Sequence, residues 1–176
     1  MEKKRLKDNA SKLLTNHLDL LNINSNSQVL DLACGSGRNG LWLAELGANV
    51  TFVDRDLSAL SDTPTHCHTV EFNLETGQTL PLAQQFDIII VFNYLHRPIF
   101  ESLKQMLKPG GFLVYETFIT TQAEYGRPKN PDFLLRDNEL LDEFNDFAAL
   151  HYFQGNVGCE DDPCFKAQLI AQKPNN

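Results

Sequence analysis

The stretch "VLDLACGSGRNGLWLA" (residues 29–44) carries a Gly-x-Gly-x-x-Gly spacing at Gly35, Gly37 and Gly40. A short apolar run precedes the glycines and helix-forming residues follow them, so the stretch predicts a strand, a tight loop and a helix. Loops of this kind lie at the carboxyl end of a parallel strand, where the backbone approaches a ligand. The spacing is typical of loops that hold a dinucleotide pyrophosphate, but Asp31 stands inside the strand, at a position that is normally apolar in such proteins.

Strands and helices alternate along the rest of the chain. The predicted strands cover 27–33, 49–54, part of 66–75, 86–95, 112–118, 147–154 and 164–173. The predicted helices cover 4–21, 38–48, 99–107 and 137–145, and the third of these is expected to stop at the Pro and Gly residues of 108–111. No helix separates the last two strands, so they should pair as a hairpin. The sequence predicts an α/β fold: a Rossmann-like, doubly wound, mostly parallel seven-stranded sheet with an antiparallel C-terminal hairpin.

Composition and charge narrow the class of protein. The chain has 176 residues, of which 42% are hydrophobic, and this is enough for one core. Its net charge of -8 repels a phosphate backbone, and the only basic run lies at residues 3–7, so no nucleic-acid partner is expected. No apolar run is long enough to span a membrane, and no membrane partner is expected.

The cysteines indicate a reducing compartment. The four cysteines, at positions 34, 67, 159 and 164, form neither a disulfide framework nor a paired zinc motif. We therefore expect reduced thiols and a cytoplasmic location. His151 with Cys159 and Cys164 is too small a set to predict a metal site, so no metal is expected.

Two aspartates distinguish between ligands of the glycine loop. Asp54 ends the second strand, where its carboxylate can accept hydrogen bonds from both hydroxyls of a ribose. Asp31 would repel a pyrophosphate but attract an ammonium group. S-adenosylmethionine offers both an adenosine and an α-amine, whereas NAD offers no amine at this place. The alternative is that Asp31 only caps its own loop.

The sequence at this point resembles a known family. "VLDLACGSGRNGLWLA", followed by "VTFVD" (50–54), is similar to the cofactor half of class I S-adenosylmethionine-dependent methyltransferases, over about residues 25–120 and extending to the terminal hairpin. Within this class the chain resembles the tellurite-resistance type, in which a GRN loop recurs with a later segment like "FLLRDNELL" (133–141). The resemblance implies S-adenosylmethionine as cofactor and S-adenosylhomocysteine as product.

The resemblance also implies roles for individual residues around the methionine and ribose. Asp31 would accept from the methionine amine or its water shell. Gly35 and Gly37 would let the backbone approach the methionine moiety, and Asp54 would bind the ribose. Ala33, which precedes these glycines, is a further predicted cofactor-binding residue.

Further residues are implied around the adenine and the sulfur. Arg55 would flank the ribose or adenine, or be an exposed loop residue. Asn73, with Leu74, would accept from the adenine amine. Phe92 and Asn93 would form the wall beneath the methyl-bearing sulfur, with a purely structural Phe92 as the alternative.

Two residues are the candidates for catalysis. Methyl transfer needs an aligned lone pair more than a base, so a base is required only for a protonated acceptor. His96 could act as that base or cap the next helix.

Arg127 lies in the long segment 119–135, where Tyr125, Asn130 and Phe133 would complete a lid for a small anionic or polar substrate. The alternative is that this segment is an ordinary surface crossover. Arg97 and Glu116 are further candidates, for binding an anionic acceptor and for a buried polar contact.

The sequence therefore predicts one methyltransferase domain over 1–176: an N-terminal helix at 1–24, a cofactor-binding core at 25–118, a substrate lid at 119–135, and a helix and terminal hairpin at 136–176. The expected partner is a small-molecule acceptor, such as a chalcogen oxyanion or a thiol. The alternatives are an RNA or protein methyltransferase of the same fold and a module that binds S-adenosylmethionine without turnover. Neither the acceptor atom nor the oligomeric state follows from the sequence.

Overall fold

A seven-stranded sheet forms the centre of the computed structural model, which describes residues 9–60 and 62–175. The strands are β1 Gln28–Leu32, β2 Asn49–Asp54, β3 His68–Glu71, β4 Phe86–Phe92, β5 Leu107–Phe118, β6 Ala148–Asn156 and β7 Phe165–Gln172. They lie in the order β3-β2-β1-β4-β5-β7-β6. The first five pair in parallel, whereas β7 pairs antiparallel with both β5 and β6. The predicted fold class is confirmed, and β7 lies inside the sheet, between β5 and the edge strand β6.

Six short α-helices of the described residues connect and cover these strands. They are α1 Lys12–Asn16, α2 Leu18–Leu21, α3 Arg38–Glu45, α4 Phe100–Met106, α5 Gln122–Tyr125 and α6 Glu139–Glu143. Single turns of 3-10 helix occupy Leu74–Thr76, Arg97–Ile99 and Pro131–Phe133.

The N-terminal helix differs from the prediction of one helix over 4–21. Residues 4–8 lie outside the described part of the chain, and the remainder is split into α1 and α2 at His17. His17 has φ -122° and ψ 19°, which is not helical, and its ring Nδ1 lies 2.9 Å from the carbonyl oxygen of Leu13. The side chain therefore contacts the end of α1 while the backbone changes direction.

The Pro and Gly residues of 108–111 also differ from the prediction. Helix α4 does end before them, but they belong to β5, which begins at Leu107 rather than at Phe112. The pairing with β4 shifts here, from Phe86 opposite Leu107 to Ile88 opposite Phe112. Gly110 has φ +75°, a left-handed conformation that glycine adopts readily, so the run forms an irregular start to the strand.

Apolar side chains fill both faces of the sheet. On one face, α1 and α3 contribute Leu13, Leu14, Leu41 and Trp42, which are buried in one core cluster with Val29 and Ile90 of the central strands. On the other face, α4 and α6 contribute Phe100, Leu103, Leu140 and Phe144, which are buried with Leu30 and Val91. The central strands β1 and β4 are therefore covered on both sides, as continuous apolar strands of a parallel sheet usually are. None of the described helices has the length and apolarity needed to cross a membrane.

Candidate functional site

A cleft of about 490 Å³ opens at the carboxyl edge of the parallel strands. Its lining comes from the ends of all five parallel strands, β1 to β5, and from the segment after β5: Ala33, Asp54, Arg55, Phe72, Asn73, Leu74, Glu75, Phe92, Asn93, Tyr94, Leu95, Phe118, Pro128 and Phe133. Ligand clefts of enzymes usually have volumes of about 300–1,000 Å³. The cleft lies where the strand order reverses, between β1 and β4, which is the usual ligand position in an open α/β sheet.

Two residues in unusual backbone conformations flank this reversal point. Ala33 follows β1 with φ 54°, and Asn93 follows β4 with φ 55°. The left-handed region is disfavoured for residues with a Cβ, and such conformations cluster at functional sites. Both residues line the cleft, so the disfavoured turns occur on its two central strands.

The glycine loop is tied directly to Asp54. The backbone N–H of Gly35 donates to Asp54 Oδ2 at 2.7 Å, and Asp56 donates to Oδ1 at 3.2 Å. Gly35 and Gly37 have φ 53° and 70°, and Gly37 is the N-cap residue of α3. Each carboxylate oxygen can accept more than one hydrogen bond, so Asp54 still has acceptor capacity in the cleft.

Asp31 is buried behind the wall of the cleft and does not line it. Its Oδ2 accepts from the backbone N–H of Gly40 at 3.0 Å. This is the kind of contact expected if Asp31 caps its own loop. A Cβ at position 40 would stand 2.5 Å from Oδ2, which explains the third glycine. Burial raises the pKa of Asp31 to about 7, and the Gly40 hydrogen bond and the charge of Arg38 only partly oppose this. Asp31 Oδ1 accepts no hydrogen bond from the described residues, so the predicted amine contact stays a prediction for that oxygen.

The side of the cleft predicted to hold the adenine contains Arg55, Asn73 and Leu74, which all line it. Arg55 is exposed. Asn73 Oδ1 accepts from the backbone N–H of Glu75 at 3.0 Å and caps the 3-10 turn there, which leaves one lone pair for a ligand. Burial, together with Glu75, raises the pKa of the neighbouring Tyr94 to about 12, so this phenol stays protonated at neutral pH.

A buried polar cluster behind the opposite side of the cleft was missed in part by sequence reasoning. Lys166 Nζ donates to Asn93 Oδ1 at 2.7 Å and to Glu116 Oε1 at 3.1 Å. Glu116 Oε2 accepts from Gln168 at 2.7 Å and from the Ser11 hydroxyl at 3.3 Å. The expectation of Glu116 as a hydrogen-bonded buried group is confirmed by these contacts. Lys166 was not predicted; the only signal for it is a lysine among the buried positions of β7.

The GRN residues of the glycine loop bind the N-terminal segment. The Arg38 guanidinium donates to the carbonyl of Asn9 at 2.9 Å, and Asn39 Oδ1 accepts from the backbone N–H of Ser11 at 2.8 Å. Ser11 in turn contacts Glu116. The glycine loop and the cluster around Lys166 are therefore linked through Ser11.

The two predicted catalytic residues lie outside the main cleft. His96 lines a neighbouring cavity of about 410 Å³, which shares Phe72 and Leu74 with the cleft. His96 is the N-cap residue of the following 3-10 turn, and its backbone carbonyl accepts from the N–H of Ile99 at 3.1 Å, but its side chain makes no capping hydrogen bond. Arg127 is exposed and lines a shallow annex of about 610 Å³, which shares Phe118, Pro128 and Phe133 with the cleft.

Arg97 is fully engaged in structural contacts. Its guanidinium pairs with the Glu139 carboxylate, with Nη2 at 2.9 Å from Oε2, and donates to the carbonyls of Asp132 and Leu134. Burial alone would raise the pKa of Glu139, but hydrogen bonds from Arg97 and Arg136 lower it to about 2. Arg97 therefore fastens the end of segment 119–135 to α6 and has no role as a free anion site.

The segment 119–135 is partly ordered by helical turns and by one isolated bridge between Ile119 and Leu135. Tyr125 is 55% exposed and Phe133 48% exposed, although Phe133 lines both the cleft and the annex. The Tyr125 ring lies 4.7 Å from the ring of Phe165. Pro128 and Phe133 of this segment line the cleft, and the lid stays a prediction. Among the described residues, no three His, Cys, Asp or Glu side chains come together as a metal site would require.

Comparison with known proteins places this geometry in a family. A protein-family sequence model described as "Methyltransferase domain" matches residues 29–111. The protein named "Probable S-adenosyl-L-methionine-dependent methyltransferase TehB" of Haemophilus influenzae is 28% identical over 152 residues, which is 80% of this chain and 52% of that protein. The ribosomal protein L11 methyltransferase of Campylobacter concisus is 36% identical over 136 residues, which is 73% of this chain and 47% of that protein. The chain thus spans about half the length of the curated relatives it matches.

Solved structures agree on the fold. The crystal structure of TehB from Haemophilus influenzae superposes with a TM-score of 0.70 at 23% identity and covers 90% of this chain and 62% of that chain. The glycopeptide N-methyltransferase MtfA, solved in complex with S-adenosyl-L-methionine, superposes with a TM-score of 0.64 at 17% identity and covers 94% of this chain and 95% of that chain. The chain is thus similar to TehB in both sequence and fold, as the predicted family resemblance implies. These comparisons identify a methyltransferase domain at residues 29–111, and the chain is similar in sequence and fold to class I S-adenosylmethionine-dependent methyltransferases.

Proposed function

We propose that this chain binds S-adenosylmethionine in the cleft at the reversal point and transfers its methyl group to a small molecule. The observation that carries the proposal is Asp54, which is held by Gly35 at the cleft while keeping acceptor capacity for a ribose diol. The cleft volume of about 490 Å³ suits a cofactor of this size.

The donors and acceptors around the cleft fit the parts of this cofactor. Asp54 and Arg55 would hold the ribose, and Asn73 and Leu74 the adenine. The backbone at Ala33, Gly35 and Gly37 would approach the methionine part, with the free oxygen of Asp31 as acceptor for its amine or a bound water.

Phe92 and Asn93 would lie beneath the sulfur. Phe92 is 8% exposed and lines the cleft, so it would have a role in both the core and the site.

Alignment and exclusion of water would be the main contributions of the protein to the reaction. S-adenosylmethionine supplies an electrophilic methyl group when bound. Phe118, Pro128 and Phe133 exclude water from the part of the cleft next to Asn93, and alignment alone can lower a barrier by about 7–11 kcal/mol in the best cases. No His residue lines the cleft among the described residues, and Tyr94 stays protonated. The chain therefore suits an acceptor that arrives with a free lone pair.

The charges at the entrance favour an anionic acceptor. Arg127 and Lys129 line the annex, whose described lining contains no acidic residue. The net charge of the chain is -8, so this local positive charge stands out from the whole surface. A chalcogen oxyanion or a thiolate combines a negative charge with a free lone pair. His96 would act as a base only if it moved out of its own cavity.

A protein acceptor is the second candidate, because the L11 methyltransferase relative is 36% identical over 136 residues. Methyl transfer is measured with a panel of thiols, selenite, tellurite and small amines, and in parallel with a mixture of purified ribosomal proteins. The comparison distinguishes a small-molecule acceptor from a protein acceptor. Methylation of protein alone would reject a small-molecule acceptor. Tight cofactor binding without any turnover would favour a binding module.

Calorimetry tests the cofactor directly. We expect micromolar binding of S-adenosylhomocysteine and no binding of NADH, since the second carries a pyrophosphate that Asp31 opposes. Binding of NADH without S-adenosylhomocysteine would reject the proposed function.

Substitution Asp54→Ala should weaken S-adenosylhomocysteine binding by about 10- to 100-fold, because hydrogen bonds to a charged group contribute about 1.5–3 kcal/mol. Calorimetric titration measures the change. Asp56→Ala is the matched control, since Asp56 is exposed and, among the described residues, its carboxylate accepts hydrogen bonds only from Ser58. Unchanged affinity in Asp54→Ala would show that the ribose is bound elsewhere.

The location and the domain boundaries are also proposals. The four cysteines are all free thiols, and on that ground we propose a cytoplasmic location. We also propose that residues 1–176 act as one domain. Recovery of the protein in a periplasmic or secreted fraction would reject this location.

A further inference from the structure

The ammonium group of Lys166 is buried against the wall of the cleft. Lys166 is 8% exposed, and its Nζ is 2.7 Å from Asn93 Oδ1 and 3.1 Å from Glu116 Oε1. The same Nζ lies 4.9 Å from the centre of the Phe118 ring. Asn93 and Phe118 both line the cleft, whereas Lys166 does not. Lys166 therefore contacts two parts of the wall from behind.

Asn93 is held in place at both its backbone and its side chain. Its φ of 55° is in the left-handed region, which Asn tolerates better than most residues with a Cβ. Its backbone N–H donates to the carbonyl of Glu116 at 2.8 Å, and its side-chain oxygen accepts from Lys166. These two contacts fix the residue against β5 and β7.

The contact with Lys166 decides which end of the Asn93 amide is available to a ligand. An Asn amide has an acceptor oxygen and a donor nitrogen, and an ammonium group can only donate. Lys166 therefore binds the oxygen and leaves the nitrogen. Asn93 Nδ2 has no hydrogen-bond partner within residues 9–60 and 62–175. The cleft is presented with a donor at this position.

The buried charge pair is more than the packing of the sheet requires. Buried ion pairs can often be replaced by apolar side chains without loss of stability. Here Glu116 is 5% exposed and needs Lys166, Gln168 and Ser11 as partners. This buried charge pair contacts Asn93, a residue with a left-handed backbone that lines the cleft. We therefore expect the pair to serve ligand binding in the cleft.

We propose that Lys166 is a positioning residue of the cofactor site. It orients the Asn93 amide so that Nδ2 donates to a hydrogen-bond acceptor atom of the bound cofactor. This inference rests on the proposed function. Lys166 itself does not touch the cofactor.

A double-mutant cycle tests this role through the calorimetric affinity for S-adenosylhomocysteine. Lys166→Met and Asn93→Gly should each weaken binding by about five- to tenfold, which is the range for one lost hydrogen bond. Gly is chosen because it keeps the left-handed backbone. The double variant should bind no more weakly than either single variant, since both remove the same contact. Lys166→Arg retains a buried cation and donor and should stay within about threefold of the unmodified chain.

Two further variants separate positioning from folding. Lys166→Met leaves Glu116 charged and unpaired, so the combination of Lys166→Met with Glu116→Gln provides a neutral pair that folds if the single variant does not. Lys173→Met is the matched control, because Lys173 Nζ donates to the carbonyls of Lys104 and Leu107 and contacts no cleft residue. Thermal unfolding of each variant verifies that the sheet is intact.

The possible results give different conclusions. Affinity unchanged in folded Lys166→Met, or multiplicative losses in the double variant, would overturn the positioning role while the proposed function stands. An unmodified chain that does not bind S-adenosylhomocysteine would reject the proposed function, and this inference with it.

Discussion

At the scale of single residues, Asp31 has an ionisation that folding disfavours. Its side chain is 3% exposed, and burial raises its pKa to about 7 from an ordinary value of 3.8. The folded chain therefore binds this proton more tightly than the unfolded chain does. A buried carboxylate that is costly to ionise is a common feature of functional sites, where a ligand cation can offset the cost.

The sign of the pH dependence follows from this shift. Between pH 4 and 7 the unfolded chain has lost the proton and the folded chain still holds it, so stability falls as pH rises. The loss due to Asp31 reaches at most about 4 kcal/mol. Asp31→Asn keeps an oxygen for the Gly40 N–H but removes the titration. Between pH 5 and pH 8 we expect the free energy of unfolding to fall more in the unmodified chain than in Asp31→Asn. The difference in stability between the two chains should therefore shift in favour of the variant as pH rises.

Urea unfolding at pH 5 and pH 8 measures the free energy of unfolding of both chains. Subtracting one chain from the other removes the contribution of the other carboxylates, which is the same in both. An equal change in both chains from pH 5 to pH 8 would mean that Asp31 ionises normally and is reached by water.

The sequence predicted local residues of the site better than distant ones. Ala33, Asp54, Arg55, Asn73 and Asn93 line the cleft, and each lies at or near the end of a strand that its apolar run predicts. Lys166 was missed because its partners Asn93 and Glu116 are 73 and 50 residues away along the chain. No local pattern contains that proximity.

At the scale of elements, one buried carboxylate fixes the segment 119–135. Glu139 at the start of α6 binds Arg97 and also accepts from the backbone N–H of Arg136 at 2.8 Å. Arg97 extends the connection to the carbonyls of Asp132 and Leu134. The "RDNEL" residues that suggested a family resemblance thus hold the end of the predicted lid.

Substitution Arg97→Met should lower the free energy of unfolding by about 2–3 kcal/mol at pH 7. Loss of a buried pair's partner costs about 3–5 kcal/mol, and the exposed third of the Arg97 side chain reduces this. The pKa of Glu139 is lowered to about 2 from 4.5, so its contribution is present above pH 4.5 and lost as pH falls toward 2. The variant should lose part of this acid sensitivity, because the hydrogen bonds from Arg136 to Glu139 remain.

Chemical denaturation at pH 7 and at pH 3 measures both effects. Lys104→Met is the control, because the Lys104 pair with Asp146 is largely exposed at the carboxylate, and such pairs contribute about 0–1 kcal/mol. Equal losses in the two variants would contradict a special role for Glu139.

At the scale of the whole molecule, the fold extends beyond the part that matches the family model. The match ends at residue 111, but β5 continues to Phe118 and pairs with β7 along seven residue positions, from Phe112 to Phe118. The existence of each strand was predictable from apolar runs, although β5 begins earlier and β4 ends earlier than predicted, whereas the place of β7 in the sheet was not predictable. Strand order depends on which strands meet in space, and the alternation of residues along β7 is equally compatible with an edge position.

A chain that ends after residue 146 should lose its cooperative thermal transition. It lacks β6 and β7, and so leaves uncovered the apolar residues of β5 that pair with Leu169 and Ile170, both fully buried. The control is a chain that ends after Lys173, which keeps every strand and the Lys173 contacts. A sharp transition in the shorter chain, followed by circular dichroism, would show that the parallel part folds alone.

The insertion of β7 between β5 and β6 sets an order of events during synthesis. Strand β6 leaves the ribosome before β7, yet β7 is its only partner in the sheet among the described strands. β6 must therefore wait, with its backbone hydrogen-bonding groups unpaired, until β7 has reached β5. Nascent chains of this protein pass through a stage at which the parallel strands are complete and β6 is free, and this is the stage at which a chaperone would be needed.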